Sequence, residues 1–122
     1  MVNTRENILK TKSFEFSIRI VNCYKFLVEE KKEYVLSKQL LRSGTSVGAM
    51  VREAEHAESK PDFVHKMAIA QKEINETIYW VELLNATNYL SLDLFNSLNN
   101  DAVEIIKLIT SSIKTAKSTI NH

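Results

Sequence analysis

The sequence has few of the residues that turn a polypeptide chain. It contains two glycines and one proline in 122 residues, and sheet proteins need more turn residues than that between their strands. Hydrophobic residues make up 44% of the chain and charged residues 25%, which is typical of a globular protein. The composition therefore argues against a sheet-rich fold and predicts one all-helical domain over residues 1–122, with short loops.

Cysteine and long apolar runs are also scarce. Cys23 is the only cysteine, so no disulfide can form within the chain and a reducing compartment is expected. No stretch approaches the roughly 20 apolar residues of a membrane span. The opening segment MVNTRENILK lacks the apolar region of a signal peptide. These features predict a cytoplasmic protein that does not enter a membrane.

The net charge is small but unevenly distributed. The total is +1, yet residues 1–52 hold ten Lys/Arg against five Asp/Glu, residues 53–104 hold three against ten, and residues 105–122 hold three lysines and no acid. Such an asymmetry indicates either a basic face for nucleic acid or subunits that pair a basic face with an acidic one. The low total makes strong binding to nucleic acid by a single copy the weaker of the two interpretations.

Apolar residues recur at helical spacing along four segments. The predicted helices run from about Thr4 to Lys31, from Ser37 to about Ala57, onward from Ser59, and onward from near Ser91. Asn3 and Glu6 are placed as a capping box for the first helix. Ser37 is the expected N-cap of the second, with Leu36 and Leu41 as a hydrophobic staple. Four long helices with short connections predict an antiparallel up-down-up-down four-helix bundle.

The first predicted helix is apolar on two faces. One stripe is Leu9, Phe16, Ile20, Cys23 and Leu27, and a second stripe is Phe14, Ile18, Val21 and Val28. A helix with two apolar faces needs two surfaces to contact. We expect the first stripe to face the bundle core, which makes Cys23 a core residue, and the second to face a neighbouring subunit.

Both glycines lie inside the second predicted helix, one turn apart. Each glycine costs about 1 kcal/mol relative to alanine within a helix, so a compensating contact is expected. Gly44 and Gly48 share one face, and small neighbours such as Ser46 keep this turn narrow. The pair therefore predicts close packing of another helix backbone. A phosphate-binding loop is excluded because no Lys-Ser/Thr follows and no strand precedes.

The segments LSKQLLRSGTSVGAMVREAEHA and SKPDFVHKMAIAQKEINETIYWVELL resemble the family of four-helix-bundle proteins encoded in intervening sequences of 23S ribosomal RNA. The likeness is close over residues 36–85. Met50 departs from the family pattern, which usually has Asn at that position. The positions that match the pattern are Gln39, Arg42, Ser43, Gly44, Thr45, Ser46, Gly48, Ala49, Glu53, Ala54, Asp62, Phe63, Lys72, Glu73, Glu76, Thr77, Tyr79 and Trp80.

This resemblance implies an antiparallel bundle that assembles into a ring, typically a homopentamer. It implies no established enzymatic activity. The origin of the family in intervening sequences suggests an association with RNA. A polar contact made by the usual Asn is in doubt where Met50 stands.

Charged and aromatic residues of the middle helices form a candidate structural or interface group. Its members are Glu53, Glu73, Glu76 and Trp80, with Gly44, Ser46 and Gly48. A buried carboxylate needs a charged or hydrogen-bonding partner. Arg42, Arg52 and Lys72 are the candidate partners for these glutamates.

The placement of the candidate ligands argues against a metal site. Di-iron bundles use two Glu-x-x-His pairs with two further glutamates, and the nearest sequence matches are Glu53-x-x-His56 and Asp62-x-x-His65, with Glu15 and Glu104. Both histidines fall beside a connecting turn rather than deep in the bundle. The sequence therefore predicts no metal, no cofactor and no catalytic residue.

The leading hypothesis is a non-enzymatic oligomeric module that presents a ring surface to RNA, DNA or a protein partner. The alternative is a nucleic-acid-binding accessory protein that contacts phosphates through a basic ring surface, and a di-metal enzyme is the least favoured. The opposing interpretation of the basic residues is a solvated face, or pairing with the acidic third helix of a neighbour. The candidate phosphate-contacting residues are Lys10, Lys12, Arg19, Lys25, Lys38 and Arg42.

Overall fold

The computed structural model describes residues 4–120 of the chain. These residues form four helices: α1 (Thr4–Glu29), α2 (Leu36–Glu55), α3 (Lys60–Ala86) and α4 (Leu92–Ile120). The predicted all-α fold is confirmed, and residues 4–120 include no strand. The first two helices each end two residues earlier than predicted, at Glu29 and Glu55.

Each helix packs against two neighbours, in the cyclic order α1, α2, α3, α4. Arg5, near the start of α1, donates a hydrogen bond to the Thr115 hydroxyl near the end of α4 at 2.9 Å. Arg19, in the second half of α1, lies 2.6 Å from the Asp101 carboxylate in the first half of α4. These two contacts show that α1 and α4 run in opposite directions. The connections span only residues 30–35, 56–59 and 87–91. Consecutive helices joined by such short connections are antiparallel neighbours.

The bundle core is built from the stripes that helical spacing predicts. On α1 the predicted core stripe is fully buried, and Cys23 is 5% exposed. Burial raises the pKa of the Cys23 thiol to about 11, against a smaller opposing effect of the Arg19 charge. The largest fully buried side chains from the other helices are Leu40, Val47, Met67, Ile74, Leu84, Leu98, Ile105 and Ile109.

Within residues 4–120, no helix combines the length and apolar content that crossing a membrane requires.

Serine hydroxyls cap the beginnings of α3 and α4. The Ser59 hydroxyl accepts a hydrogen bond from the Asp62 backbone N–H at 3.1 Å. In the same way, the Ser91 hydroxyl accepts from the Leu94 N–H at 3.2 Å. Each hydroxyl satisfies one of the N–H groups that a helix N-terminus leaves without an intrahelical partner. The predicted N-cap of α1, Asn3, lies outside the described residues.

The cap of α2 was wrongly predicted, because Glu33 rather than Ser37 provides it. The Glu33 carboxylate accepts hydrogen bonds from the backbone N–H groups of Val35, Leu36 and Ser37 at 3.2, 3.0 and 2.7 Å. Ser37 lies inside the helix and its hydroxyl donates to the Glu33 carbonyl at 2.8 Å. Leu36 is already the first helical residue, so it does not occupy the staple position. Leu36 and Leu41 both pack against the core instead.

Burial and hydrogen bonding act in opposite directions on Glu33. The residue is 8% exposed, and burial alone would raise the pKa of its carboxyl. The three backbone N–H groups, with the Ser37 hydroxyl, together outweigh burial and hold the pKa of Glu33 below its usual range. The ionised carboxylate is therefore the form that the start of α2 stabilises.

Candidate functional site

The glycine pair brings α2 against α1. A Cβ atom added at Gly44 would lie 2.7 Å from Cγ1 and 2.8 Å from Cγ2 of Ile20. A Cβ atom added at Gly48 would lie 3.1 Å from the Ser17 hydroxyl and 3.3 Å from the Ser13 carbonyl oxygen. The two Ile20 atoms are fixed to its β-carbon, so they cannot rotate out of the way together. The predicted approach of another helix backbone is present at Gly48, whereas at Gly44 the Ile20 side chain fills the space and the contact is tighter.

The α2–α3 contact is polar, in contrast to the glycine contact with α1. The Arg42 guanidinium contacts the Glu73 carboxylate at 3.1 Å and also pairs with Glu76. The Trp80 indole N–H donates to the same Glu76 carboxylate at 3.2 Å. Glu73 is 9% exposed, so this carboxylate is buried with its partner in place, as buried charge requires. Of the three candidate partners, Arg42 is the residue that pairs with both Glu73 and Glu76.

The other two candidate partners lie elsewhere. Arg52 stacks over the Phe14 ring of α1, with 5.0 Å from its guanidinium carbon to the ring centroid. Lys72 is exposed and makes no ion pair within the part of the chain described. Glu53, which the sequence groups with Glu73 and Glu76, is exposed and pairs with Lys66 at 3.7 Å. The predicted polar group is therefore two separate contacts rather than one network.

Beneath this polar contact, α2 and α3 share a buried hydrogen bond. The hydroxyls of Ser43 and Thr77 are 2.9 Å apart, and Thr77 is fully buried. Ser46 donates its hydroxyl back to the Arg42 carbonyl at 2.6 Å and so makes a contact within α2 only. Across residues 4–120, every buried side-chain nitrogen or oxygen has a hydrogen-bond partner. Buried polar atoms in a stable helix–helix contact need such hydrogen-bond partners.

Most of the candidate phosphate-contacting cations are paired within the chain. Lys10 lies 3.2 Å from Glu55, Lys12 2.9 Å from Glu104, and Arg19 2.6 Å from Asp101, in addition to the Arg42 pairs. The hydrogen bond that Lys12 donates to Glu104, and then the negative charge of that carboxylate, raise the pKa of Lys12. Four of the six candidate cations thus pair with carboxylates of neighbouring helices in the same copy.

Lys25 and Lys38 differ from the other four candidate cations. Both are exposed, and neither makes an ion pair within residues 4–120. Of the six candidates, these two lysines are therefore the ones whose charges are available to contact a phosphate group.

The residues considered for a metal are separated or otherwise engaged. Asp62 accepts a hydrogen bond from the Glu58 backbone N–H at 3.1 Å and lies 3.8 Å from Lys66. Glu104 pairs with Lys12. His56 is exposed at the end of α2. In the described part of the chain, no three His, Cys, Asp or Glu residues are grouped closely enough to hold a metal ion.

The outer face of α1 carries apolar side chains that this copy does not bury. Phe14 is 50% exposed and Ile18, one turn later, is 46% exposed. Val21 continues the same face and is half-buried. We call these three residues the α1 patch. The second stripe predicted for the first helix is thus placed at the surface, away from the core stripe.

Tyr79 was not recognised from sequence as an exposed side chain. It is 55% exposed on α3, and its ring lies edge-on to Trp80 with 5.0 Å between ring centroids. Helical spacing contained the signal, because Tyr79 follows Lys72 and Asn75 at seven and four residues on the polar face of the helix. An aromatic residue among polar ones on such a face is a recognisable interaction candidate.

Comparison with known proteins agrees with this architecture. A sequence model of the family described as 23S rRNA-intervening sequence protein matches residues 5–111. The chain belongs to this family. It also resembles a family member of unknown function from Bacteroides thetaiotaomicron, assigned to the S23 ribosomal protein family and solved by crystallography at 1.70 Å. The two share 58% sequence identity over 91% of this chain and 99% of that chain, with a TM-score of 0.90. No curated protein matches the chain.

Met50, the position that departs from the family pattern, is part of the α2 packing surface. Its side chain is half-buried and packs against the bundle core. A thioether side chain adapts to irregular apolar gaps. At this position the chain makes an apolar contact.

Proposed function

We propose that this chain is a non-enzymatic assembly module whose copies associate through the α1 patch into a homo-oligomeric ring. The observation that carries the proposal is the exposure of Phe14 and Ile18 on a helix whose opposite face already fills the core. Contiguous exposed apolar side chains mark association surfaces more often than isolated ones do. The ring of five copies implied by the family resemblance is the expected stoichiometry.

The arrangement of hydroxyl groups supports a structural rather than a catalytic role. An open groove at the end of the bundle is lined by residues of all four helices and of the connection before α3, and Ser59 and Ser112 are among them. Ser59 caps α3, and Ser112 donates to the Leu108 carbonyl at 2.9 Å. An activated nucleophile instead needs an adjacent base within hydrogen-bond reach. These two hydroxyls are committed to backbone groups.

Nucleic-acid binding is the second candidate function. The exposure of Lys25 and Lys38, which make no ion pair within residues 4–120, favours it. Repetition around a ring would multiply even two free cations per copy. Binding of this kind would weaken steeply with salt, because phosphate contacts release counterions. Neutralising Lys25 and Lys38 should then weaken RNA binding more than neutralising the paired Lys10 and Lys12.

The decisive test is the absolute mass in solution, by size-exclusion chromatography with light scattering at low and high salt. The wild-type chain should elute as a multiple of 14.0 kDa at both salts, because the proposed contact is mainly apolar. The double variant Phe14→Asp/Ile18→Asp should elute as a single chain with unchanged helical circular dichroism. Val103→Asp is the matched control, since Val103 is 38% exposed on α4 and outside the patch. A wild-type protein that stays monomeric at all accessible concentrations would overturn the proposal.

A further inference from the structure

We propose that the α1 patch also receives an acidic amphipathic helix of a partner protein, which docks along α1 beside α2 and competes with the neighbouring copy. The inference rests on the proposed function and deepens it, because it names a second occupant for the surface through which copies associate. Helices that bind in this mode lay an apolar face on the receiving surface, with anchor residues three, four and seven positions apart.

The face of α2 beside the α1 patch carries short side chains. Arg52 lies over the Phe14 ring, with 5.0 Å from its guanidinium carbon to the ring centroid, so the face of α2 that carries Arg52 borders the patch. Ala49 and Thr45 precede Arg52 by three and seven residues and therefore share this face. Ala49 is exposed and Thr45 is half-buried. Because such short side chains project little, a partner helix can approach the patch from the α2 side.

Cations lie at both ends of this face. Arg52 stands at one end. At the other end Lys25 follows the patch by four residues. Lys38 of α2 lies at the level of Lys25, because Ile20 packs against Gly44 and the two helices are antiparallel. The three cations are exposed and make no ion pair within residues 4–120. Their charges are therefore available to carboxylates of a partner.

Carboxylates are nearly absent from the same face. Residues 38–52 of α2 include no Asp or Glu. From the start of the patch to Lys25, Glu15 is the only acidic residue of α1. It lies between Lys12 and Arg19 at helical spacing, on the side of α1 that pairs with α4. An acidic partner therefore meets no like charge along this face, whereas a basic partner would be repelled at both ends.

The apolar and basic positions together define the pattern of the partner helix. Apolar residues at i, i+3, i+4 and i+7 would cover the three patch residues in either helix direction. Acidic residues in the turns that flank this segment would reach Arg52 at one end and Lys25 with Lys38 at the other. From Phe14 to Lys25 the surface spans eleven residues, or about 16 Å of helix. Glu29, one turn beyond Lys25, limits the basic end.

The apolar centre of this face favours a protein helix over a nucleic acid. Phe14 and Ile18 are 50% and 46% exposed along its middle, and the cations stand only at its ends. A nucleic acid contacts cations through a continuous row of phosphates. An interface between proteins instead combines an apolar centre with a polar rim, which is the arrangement seen here.

A synthetic peptide tests the proposal. The probe has about 18 residues, or about five turns of helix, with leucines in the stated pattern, glutamates in the two flanking turns and alanines elsewhere. Its fluorescence anisotropy should show saturable binding to the wild-type chain, and the mass from light scattering should fall toward one chain with one peptide. Phe14→Asp/Ile18→Asp should lose the binding. A peptide of the same composition in scrambled order, without an apolar face, is the negative control.

Charge exchange provides a second readout that does not depend on apolar burial. Lys25→Glu/Lys38→Glu should weaken peptide binding about tenfold, as expected for the reversal of exposed ion pairs. Lys114→Glu/Lys117→Glu is the matched control, because it makes the same change in net charge at two exposed lysines of α4 and should bind like wild type. A peptide with lysines in place of the glutamates should prefer Lys25→Glu/Lys38→Glu over the wild-type chain.

The other outcomes separate this inference from the proposed function. If the peptide does not bind, or if the two lysine variants bind it equally, the inference is refuted and the assembly module stands. Binding that leaves an oligomeric wild-type mass unchanged would refute the competition for the patch. If single-stranded RNA binds this face and the peptide does not, the face contacts phosphates and the inference is again refuted. A monomeric wild-type chain that binds the peptide would remove the proposed function and leave the docking of the acidic helix in place.

Discussion

Different interactions hold the two sides of α2 to the neighbouring helices α1 and α3. On the α1 side, Gly44 has no side chain and Ile20 fills the space against its backbone. On the α3 side, Arg42 reaches outward to two carboxylates, with a buried hydroxyl pair beneath. The first contact is steric and insensitive to ions, whereas the second is electrostatic and partly exposed to solvent. One helix therefore combines a contact that tolerates no added atoms with one that depends on charge.

The largest effect is expected from Gly44→Leu on the steric side. The Leu side chain would start 2.7 Å from an Ile20 carbon, so α1 and α2 must separate and the core between them opens. Overpacking of a close contact costs typically 1–3 kcal/mol and sometimes more, and we expect about 3 kcal/mol or more of lost unfolding free energy. Urea denaturation followed by circular dichroism measures this loss.

Alanine at the two glycines sharpens the same test. The methyl group of Gly48→Ala would lie 3.1 Å from a serine hydroxyl and 3.3 Å from a backbone carbonyl oxygen. The cost of this tight contact should offset the gain of about 1 kcal/mol in helix propensity, so the stability should stay near wild type. Gly44→Ala has the same propensity gain but meets Ile20, and it should be destabilised. Equal stability of the two alanine variants would contradict the difference between the two glycines.

Arg42→Ala is expected to have an intermediate effect on the electrostatic side. It leaves the buried Glu73 carboxylate without its cation, which should cost about 1–3 kcal/mol for a partly exposed pair. In about 1 M salt the Debye length falls to about 3 Å, so the deficit of Arg42→Ala should shrink while that of Gly44→Leu should not. Thermal unfolding at two salt concentrations provides the comparison.

Lys38→Ala is the matched control for Arg42→Ala. Lys38 lies one turn earlier on α2, is exposed and has no ion pair within the described residues. Its replacement should change stability by less than about 0.5 kcal/mol. If both variants lose the same amount, the ion pairs of Arg42 do not stabilise the α2–α3 contact.

A smaller effect than that of Arg42→Ala is expected from Glu33→Gln, at the cap that begins α2. The variant should lose about 1 kcal/mol at neutral pH, because an amide is a weaker acceptor than a carboxylate for the three N–H groups. The folded pKa of Glu33 lies below its ordinary value of 4.5. Its contribution is therefore complete above the ordinary value and is lost as pH falls through the lowered folded value.

The stability difference between wild type and Glu33→Gln should accordingly disappear in acid. Denaturation curves from neutral to about pH 3 follow it through this window. Glu30→Gln, which removes an exposed carboxyl in the same connection, is the matched control and should change stability at neutral pH by less than about 0.5 kcal/mol. A constant difference across the whole range would mean that the charge of Glu33 plays no part in the cap.

Local features of this fold were predictable because they depend on residues close in sequence. Helical spacing identified the buried stripe of α1, and Ser59 carries the ordinary N-cap signature that the structure confirms. The cap by Glu33 was missed because a carboxylate that reaches forward from a connection has no such signature. Ser37 looked like a cap because it satisfies the same composition rule.

The partners across helices were less predictable, because they depend on how two helices are registered. Arg42 and Arg52 are both exposed on α2, and only the relative position of α3 places Arg42 beside Glu73. The pairing of Lys12 and Arg19 with α4 has the same origin, since Glu104 and Asp101 lie far away in sequence. Sequence therefore indicated which side chains are charged and outward, but not which of them neutralise each other.

The burial of Cys23 has a practical consequence for labelling experiments. Thiol reagents attack the thiolate, and a group that is 5% exposed with a pKa of about 11 offers little thiolate at neutral pH. A second cysteine introduced on the surface would react first, so fluorescent or spin labels can be attached with the native thiol left in place. Cys23 itself then serves as an internal reporter, because its modification records only those openings that pull α1 away from the rest of the molecule.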